Sequence, residues 1–359
     1  MKRYLLFISH SYSYTMLRPI EDEVRRRGDD CAWFIEEETC PDLLRPDEKR
    51  LLTVEQVIDY NPIACIAPGN WVYDFFPGVK VHTFHGYPVQ KRFEKVDDHF
   101  EVREWFDIYC TAGPSCTPTF KELENKHGYF RVYETGGPKI DHFFSPGLSA
   151  EPERQRPCIL YAPTFTRSVT SAPSMLSAID RMAGECPWDW HILLHPKLPP
   201  QIFDAYRDLA SRHDNVQFLE VNEGVETYRK TDAMLADSSS IILEYMLLDK
   251  PVVTFNNSHP GPHLINVTDP DLVADAIARA LTRPADLMDE VHKYGLWHEA
   301  HRDGRNSARV LDAIDDFIAN YQGKIRRKPL NLIRKIKLRW RLRKRYSFTF
   351  LFTSLFFHS

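Results

Sequence analysis

Residues 231–255 read TDAMLADSSSIILEYMLLDKPVVTF. Residues 233–236 form a short apolar run that suits a buried parallel strand. Asp237, Ser238, Ser239 and Ser240 follow at once as a turn-and-cap signal. Ile241, Ile242, Tyr245 and Leu248 then recur at helical spacing, and residues 251–255 restart a strand. Strand, turn, helix and strand in that order predict an α/β protein with parallel sheets. Three small hydroxyl side chains stand where a helix begins, just past the carboxyl end of a strand. Backbone N–H groups and the helix dipole favour a phosphate there, and ligands of open α/β sheets bind at such strand ends. Glu244, on the first turns of the same helix, is placed to accept from the hydroxyls of a ribose. The same pattern also suits serines that cap a helix beside a solvated glutamate.

The first half repeats the alternation. A strand at 4–9, a helix at 16–28 and a strand at 31–35 make a β-α-β unit. The strand at 80–84 delivers His85-Gly86 at its carboxyl end. A histidine on such a turn suits proton transfer, although its position alone favours a hydrogen-bonded structural histidine. His82 reads as a structural residue within the strand. Residues 136–141, GGPKID, read as the turn that closes the first domain, and 145–157 as a linker rich in Pro, Ser, Glu and Arg. The second half opens with a strand at 158–162, followed by Thr164 and Arg167. A strand at 190–194 then delivers His195-Pro196-Lys197, and a helix at 308–321 closes this half. The expectation is two Rossmann-like domains, 1–150 and 151–322, facing a central cleft: the GT-B architecture. Such clefts hold a nucleotide-activated donor on the second domain and an acceptor against the first.

A chain of 359 residues with 43% apolar content can build two ordinary cores. Seven dispersed cysteines, none in a CxxC pair, argue against zinc ribbons and suit a reducing cytoplasm. The opening MKRYLLFIS is too short in its apolar run for a signal peptide and reads as a strand, and no segment approaches a membrane span. The first strand leads to ISHSYSY rather than GxGxxG, which argues against hydride transfer. The net charge of −4 conceals an asymmetry: residues 323–359 hold twelve Lys and Arg and no Asp or Glu. Within that tail, basic residues alternate with Leu332, Ile333, Ile336, Leu338, Trp340 and Leu342, and an aromatic stretch ends the chain. A basic amphipathic helix of this kind suits an anionic membrane surface, the alternative being a partner- or RNA-binding tail.

YAPTF at 161–165, His195-Pro196, DSSSIILEYMLLDKPVV at 237–253 and DGRNSARV at 303–310 occur in one order with His85-Gly86 and GGPKID. Together they resemble the CDP-glycerol glycerophosphotransferase family, which includes teichoic acid primases and polymerases and related capsule enzymes. The resemblance implies attack of an acceptor hydroxyl on the β-phosphorus of a CDP-alcohol, with CMP leaving. It implies His85 as the base, His195 at the diphosphate, and Ser238, Ser239 and Ser240 on phosphate oxygens. It implies Glu244 on the ribose, where the family commonly has Asp. It places Thr164, Arg167 and Asp237 on the donor side, and Gly86 and Lys139 on the acceptor side or in the cleft. No convincing DxD motif is present, so metal independence is expected, with no cofactor. The implied partners are a CDP-alcohol donor and a lipid-linked glycan at the inner face of the cell membrane, and not nucleic acid. A GT-B glycosyltransferase using UDP-sugars is the alternative, since a serine turn with a carboxylate would bind those donors too.

Overall fold

The computed structural model describes residues 1–36, 41–88, 98–145, 154–220 and 224–342. Residues 343–359 of the expected tail and most of the expected linker lie outside that set. The chain divides into two compact units.

The first unit carries β1 (Arg3–Ile8), β2 (Asp30–Ile35), β3 (Arg50–Leu51), β4 (Ala64–Ala67), β5 (Val79–His82), β6 (Ile108–Thr111) and β7 (Arg131–Glu134). They form one sheet in the order β3-β2-β1-β4-β5-β6-β7. Every pairing is parallel. Strands buried on both faces need near-continuous apolar sequence, and β1, β4 and β5 are buried almost throughout. The helix Ser13–Arg26 begins earlier than the apolar periodicity suggests and carries Pro19 within it.

The second unit carries β8 (Cys158–Tyr161), β9 (Asp189–Ile192), β10 (Val216–Phe218), β11 (Ala233–Ala236), β12 (Val252–Phe255) and β13 (Ile265–Val267). Their order is β10-β9-β8-β11-β12-β13, again parallel throughout. In each sheet the strand order reverses once, between β1 and β4 in the first and between β8 and β11 in the second. Loops leaving the carboxyl ends of such strand pairs diverge and leave room for a ligand.

The domain boundary differs from the expectation of a second domain at 151–322. From His298 the chain belongs to the first unit again. The helix Asn306–Asn320 buries Val310, Leu311, Ile314 and Phe317 in the core formed by β1, β2 and the Ser13–Arg26 helix. Its N-terminus is held from far away in sequence. Asp141 accepts from the backbone N–H groups of Asn306 and Ser307, both at 2.7 Å. A buried carboxylate on two free helix N–H groups replaces a local cap, since Arg305 makes no side-chain cap bond. GGPKID and DGRNSARV are thereby two halves of one joint.

The described part of the tail, as far as Leu342, is also part of the first unit. The helix Leu332–Leu342 buries Leu338 and Leu342 against the core that contains Tyr73, Phe75 and Phe76. Arg339, fully buried, pairs with Asp74 at 3.0 Å. Lys328 pairs with Asp107, Arg334 with Glu104, and Arg341 with Glu36. Part of the basic charge read from the sequence is therefore neutralised within the fold.

Candidate active site

His85 stands three residues past the end of β5, the strand beside β4. Its Nδ1 lies 3.0 Å from the carbonyl oxygen of Pro68, the residue after β4. A carbonyl can only accept, so Nδ1 carries the proton and Nε2 keeps its lone pair. That is the tautomer a general base needs. The side chain is exposed, and a Cβ added at Gly86 would meet nothing within 4 Å, so there is room beside the ring. Phe84, buried just before it, adopts φ +57°, a left-handed conformation that is costly for an aromatic residue. This turn ends β5 and throws His85 outward. His82 points the other way: it is buried against Phe84 and Phe106, and burial pushes its imidazole well below the usual range. It is structural, as its position in the strand suggests.

A row of rings leads to His85. Tyr12 lies 4.9 Å from it between centroids, His10 stacks on Tyr12 at 5.1 Å, and Trp71 meets His10 edge-on at 5.2 Å. Glu36 accepts from Trp71 Nε1 at 3.2 Å and from the Tyr73 hydroxyl at 2.8 Å. Lys139 is half-buried on the 3-10 turn Pro138–Phe143, next to Gly137.

The reversal point of the second sheet places the serine turn. Asp237 is completely buried and accepts from the N–H of Thr164 at 2.9 Å, the N–H of Ser171 at 2.8 Å and the Ser171 hydroxyl at 3.0 Å. The assignment of Asp237 to the donor site is therefore corrected: its oxygens face inward and tie both ends of the loop that carries Arg167. Burial pushes its carboxyl up while those N–H groups pull it back. Thr164 is half-buried and Arg167 exposed on that loop. Ser240 makes no side-chain cap bond to the short helix Ile241–Met246, so its hydroxyl is not spent on capping. Ser238 instead accepts from the N–H of Ser258 at 2.9 Å and shares a 3.0 Å bond with its hydroxyl. Glu244 is half-buried, with the Tyr228 hydroxyl at 3.4 Å.

A pocket opens at this turn, lined by Ser238, Ser239, Ser240, Asn257, Ser258, His259, His263 and Tyr294. Burial pulls His263 down to about 4, and its ring stacks on Tyr294 at 3.7 Å. The loop NNSHPGPH that supplies Asn257, Ser258, His259 and His263 was not singled out from the sequence. Its signal was its place: it leaves β12, the strand paired with β11, and glycine, proline and polar residues fill it.

His195 follows β9 in the same unit and contacts Phe165, with ring centroids 4.2 Å apart. Its Nδ1 lies 3.1 Å from the backbone N–H of Lys197. An amide can only donate, so Nδ1 accepts and the proton of the neutral ring sits on Nε2. His85 and His195 thus carry opposite tautomers: one offers a lone pair from Nε2, the other an N–H. Thr164, Phe165, Asp237 and His195 are linked within the second unit by these contacts, and His85 and Gly86 belong to the first. Among the described residues, no group of three His, Cys, Asp or Glu side chains is placed to hold a metal ion.

Residues 68–316, well over half of the chain, match the CDP-glycerol:poly(glycerophosphate) glycerophosphotransferase family. The chain belongs to this family. It is 24% identical over 271 residues to the teichoic acid ribitol-phosphate primase of Bacillus spizizenii, covering 65% of this chain and 66% of the primase. It is 29% identical over 146 residues to the teichoic acid poly(ribitol-phosphate) polymerase of the same organism, covering 35% of this chain and 22% of the polymerase. The chain thus spans about two-thirds of one relative and a fifth of the other. The structure of the wall teichoic acid polymerase TagF superposes with a TM-score of 0.60 at 14% identity, over 89% of each chain. That likeness establishes the fold, which for this glycerophosphotransferase family member is of the GT-B type.

Proposed function

We propose that the chain transfers an alcohol phosphate, glycerol or ribitol phosphate, from a CDP-activated donor to a membrane-linked acceptor in wall-polymer synthesis. The observation that carries this reading is the opposite tautomers of His85 and His195, in a chain of this family. The acceptor hydroxyl would lose its proton to His85 Nε2 as its oxygen bonds to the β-phosphorus. The bond from that phosphorus to the bridging oxygen would break, and CMP would leave with the electron pair. His195 Nε2–H would donate to a diphosphate oxygen, where negative charge builds. The Ser238–Ser258 pair and the N–H groups of their loops would hold phosphate oxygens, and Glu244 the ribose. The two relatives named for ribitol phosphate favour that alcohol, and the family name favours glycerol. We propose that no metal takes part: the rate should survive excess chelator, and a complete loss would reject this.

Thermal unfolding with CDP-glycerol, CDP-ribitol, CMP, UDP and UDP-sugars tests the donor. A ligand at a hundred times its Kd adds about 2.7 kcal/mol of stability, enough to read. Selective stabilisation by a CDP-alcohol, with CMP release on turnover, is expected. A shift with UDP-sugars alone would replace this reading with a glycosyltransferase.

The second part of the proposal concerns the tail. Its helix Leu332–Leu342 has two faces. One is docked through Leu338, Arg339 and Leu342. The other exposes Ile333 at 73%, Ile336 at 38% and Trp340 at 57%, on one side by helical spacing, beside exposed Lys337. Lys324, Arg326 and Arg327 are also exposed just upstream. An apolar stripe flanked by cations complements an anionic lipid surface. No helix among the described residues is long and apolar enough to cross a membrane, and we propose attachment at its inner face.

A further inference from the structure

His85 stands on a turn with little packing of its own. Residues 85 and 86 are exposed, and Gly86 has open space around it. Besides the contact with Tyr12, the ring is held by what anchors the turn on either side. Upstream the anchor is Phe84, buried against His82, His99 and Phe120, together with the Pro68 carbonyl on Nδ1. Downstream it is Tyr87, whose hydroxyl donates to Glu299 at 2.7 Å.

Glu299 lies in the segment that returns to the first unit and is completely buried. Its carboxyl also accepts from the N–H of Gly137 at 3.0 Å and from Asn306 Nδ2 at 3.1 Å. Asn306 Nδ2 in turn reaches the Gly137 carbonyl at 3.0 Å. The packing is too tight to slide. A Cβ at Gly136 would come within 2.4 Å of the Asn306 amide, and one at Gly113 within 2.8 Å of the His298 carbonyl. Glu299 is therefore a fixed point in rigid surroundings, and the Tyr87 bond carries that rigidity to within two residues of His85.

We propose that Glu299, acting through the Tyr87 hydroxyl, is a positioning residue that fixes the orientation of His85. This rests on the reading of His85 as the base, and it adds what holds that base in place. It also gives the returning segment a task besides closing the core: its fixed geometry sets where the acceptor's proton is taken.

The test uses the full chain. Tyr87→Phe removes one oxygen and keeps the ring, so the fold should survive. Its kcat should fall about tenfold with donor KM unchanged, because misplacing a catalytic group costs rate rather than donor binding. Glu299→Gln, which keeps an acceptor oxygen, should retain most of the rate that Glu299→Ala loses. A second readout needs no turnover. Proton–nitrogen NMR of the His85 ring should show the Nδ1–H tautomer in the native chain and a mixture of tautomers in Tyr87→Phe. If Tyr87→Phe keeps both native kcat and the native tautomer, the proposal is overturned. If the native chain turns over no CDP-alcohol, the reading of function fails, and the NMR comparison alone decides the role of Glu299.

Discussion

The backbone N–H of Lys197 donates to Nδ1 of His195 across 3.1 Å. The ring therefore presents an N–H, not a lone pair, from Nε2. A hydrogen bond to a charged oxygen contributes about 1.5–3 kcal/mol, so His195→Ala should weaken donor affinity roughly ten- to hundredfold. His195→Gln, whose amide can donate from a similar place, should recover part of the loss. Titration calorimetry with the CDP-alcohol checks both, and equal binding by His195→Ala would remove His195 from the donor site.

His85 should behave differently. A positioned base contributes about 10²–10⁴ in rate, so His85→Ala should lower kcat by that factor while the donor still binds. A rate unchanged by this substitution would end the proposed mechanism at its first step.

Asp141 tests the joint between the two motifs of the first unit. Its two 2.7 Å bonds hold the first N–H groups of the Asn306–Asn320 helix. Asp141→Ala leaves those groups buried without a partner, and about 2–4 kcal/mol of stability should be lost. Denaturant unfolding measures this. A native midpoint would show that the helix is held by packing alone.

Glu299 should give stability a pH dependence of known sign. Burial raises its carboxyl from 4.5 to about 8 in the folded chain. Between those values the folded state binds the extra proton and the unfolded state does not, so its contribution to stability falls as pH rises. The contribution is complete below 4.5 and has been lost above about 8. Buried Asp141 and Asp237, also raised, act in the same direction. Glu299→Gln should therefore unfold at a higher temperature relative to the native chain at about pH 9 than at about pH 5. A gap independent of pH would contradict the assignment.

The exposed face of the tail helix predicts binding to vesicles that contain phosphatidylglycerol. Binding should be much weaker to phosphatidylcholine alone, since each basic residue near an anionic surface contributes about 1 kcal/mol. Ile333→Glu with Trp340→Glu should abolish co-sedimentation without lowering the unfolding temperature. Co-sedimentation that persists would place the lipid contact elsewhere.

Much of this was legible because parallel strands need apolar runs and strand ends carry function. The segment 231–255 gave β11, its turn and β12 nearly in full. His85 and His195 were readable as residues delivered by strand ends. The role of Asp237 was not, because nothing local distinguishes a carboxylate that faces a ligand from one that braces a distant loop at Thr164 and Ser171. The short edge strands β3 and β13, two and three residues long, are too brief to show a period. The return of the chain at His298 was hidden for a related reason. An amphipathic helix such as Asn306–Asn320 shows that it has an apolar face, but not which core receives it.

That return makes the second unit an insertion within the first, since the first unit's core takes residues from both flanks of it. A gene cut anywhere between 154 and 297 would yield a front fragment lacking Val310, Leu311, Ile314 and Phe317. Separate study of the first unit therefore calls for splicing its front piece to residue 298 with a short bridge. The inserted middle, by contrast, can be lifted out whole as a candidate for independent folding.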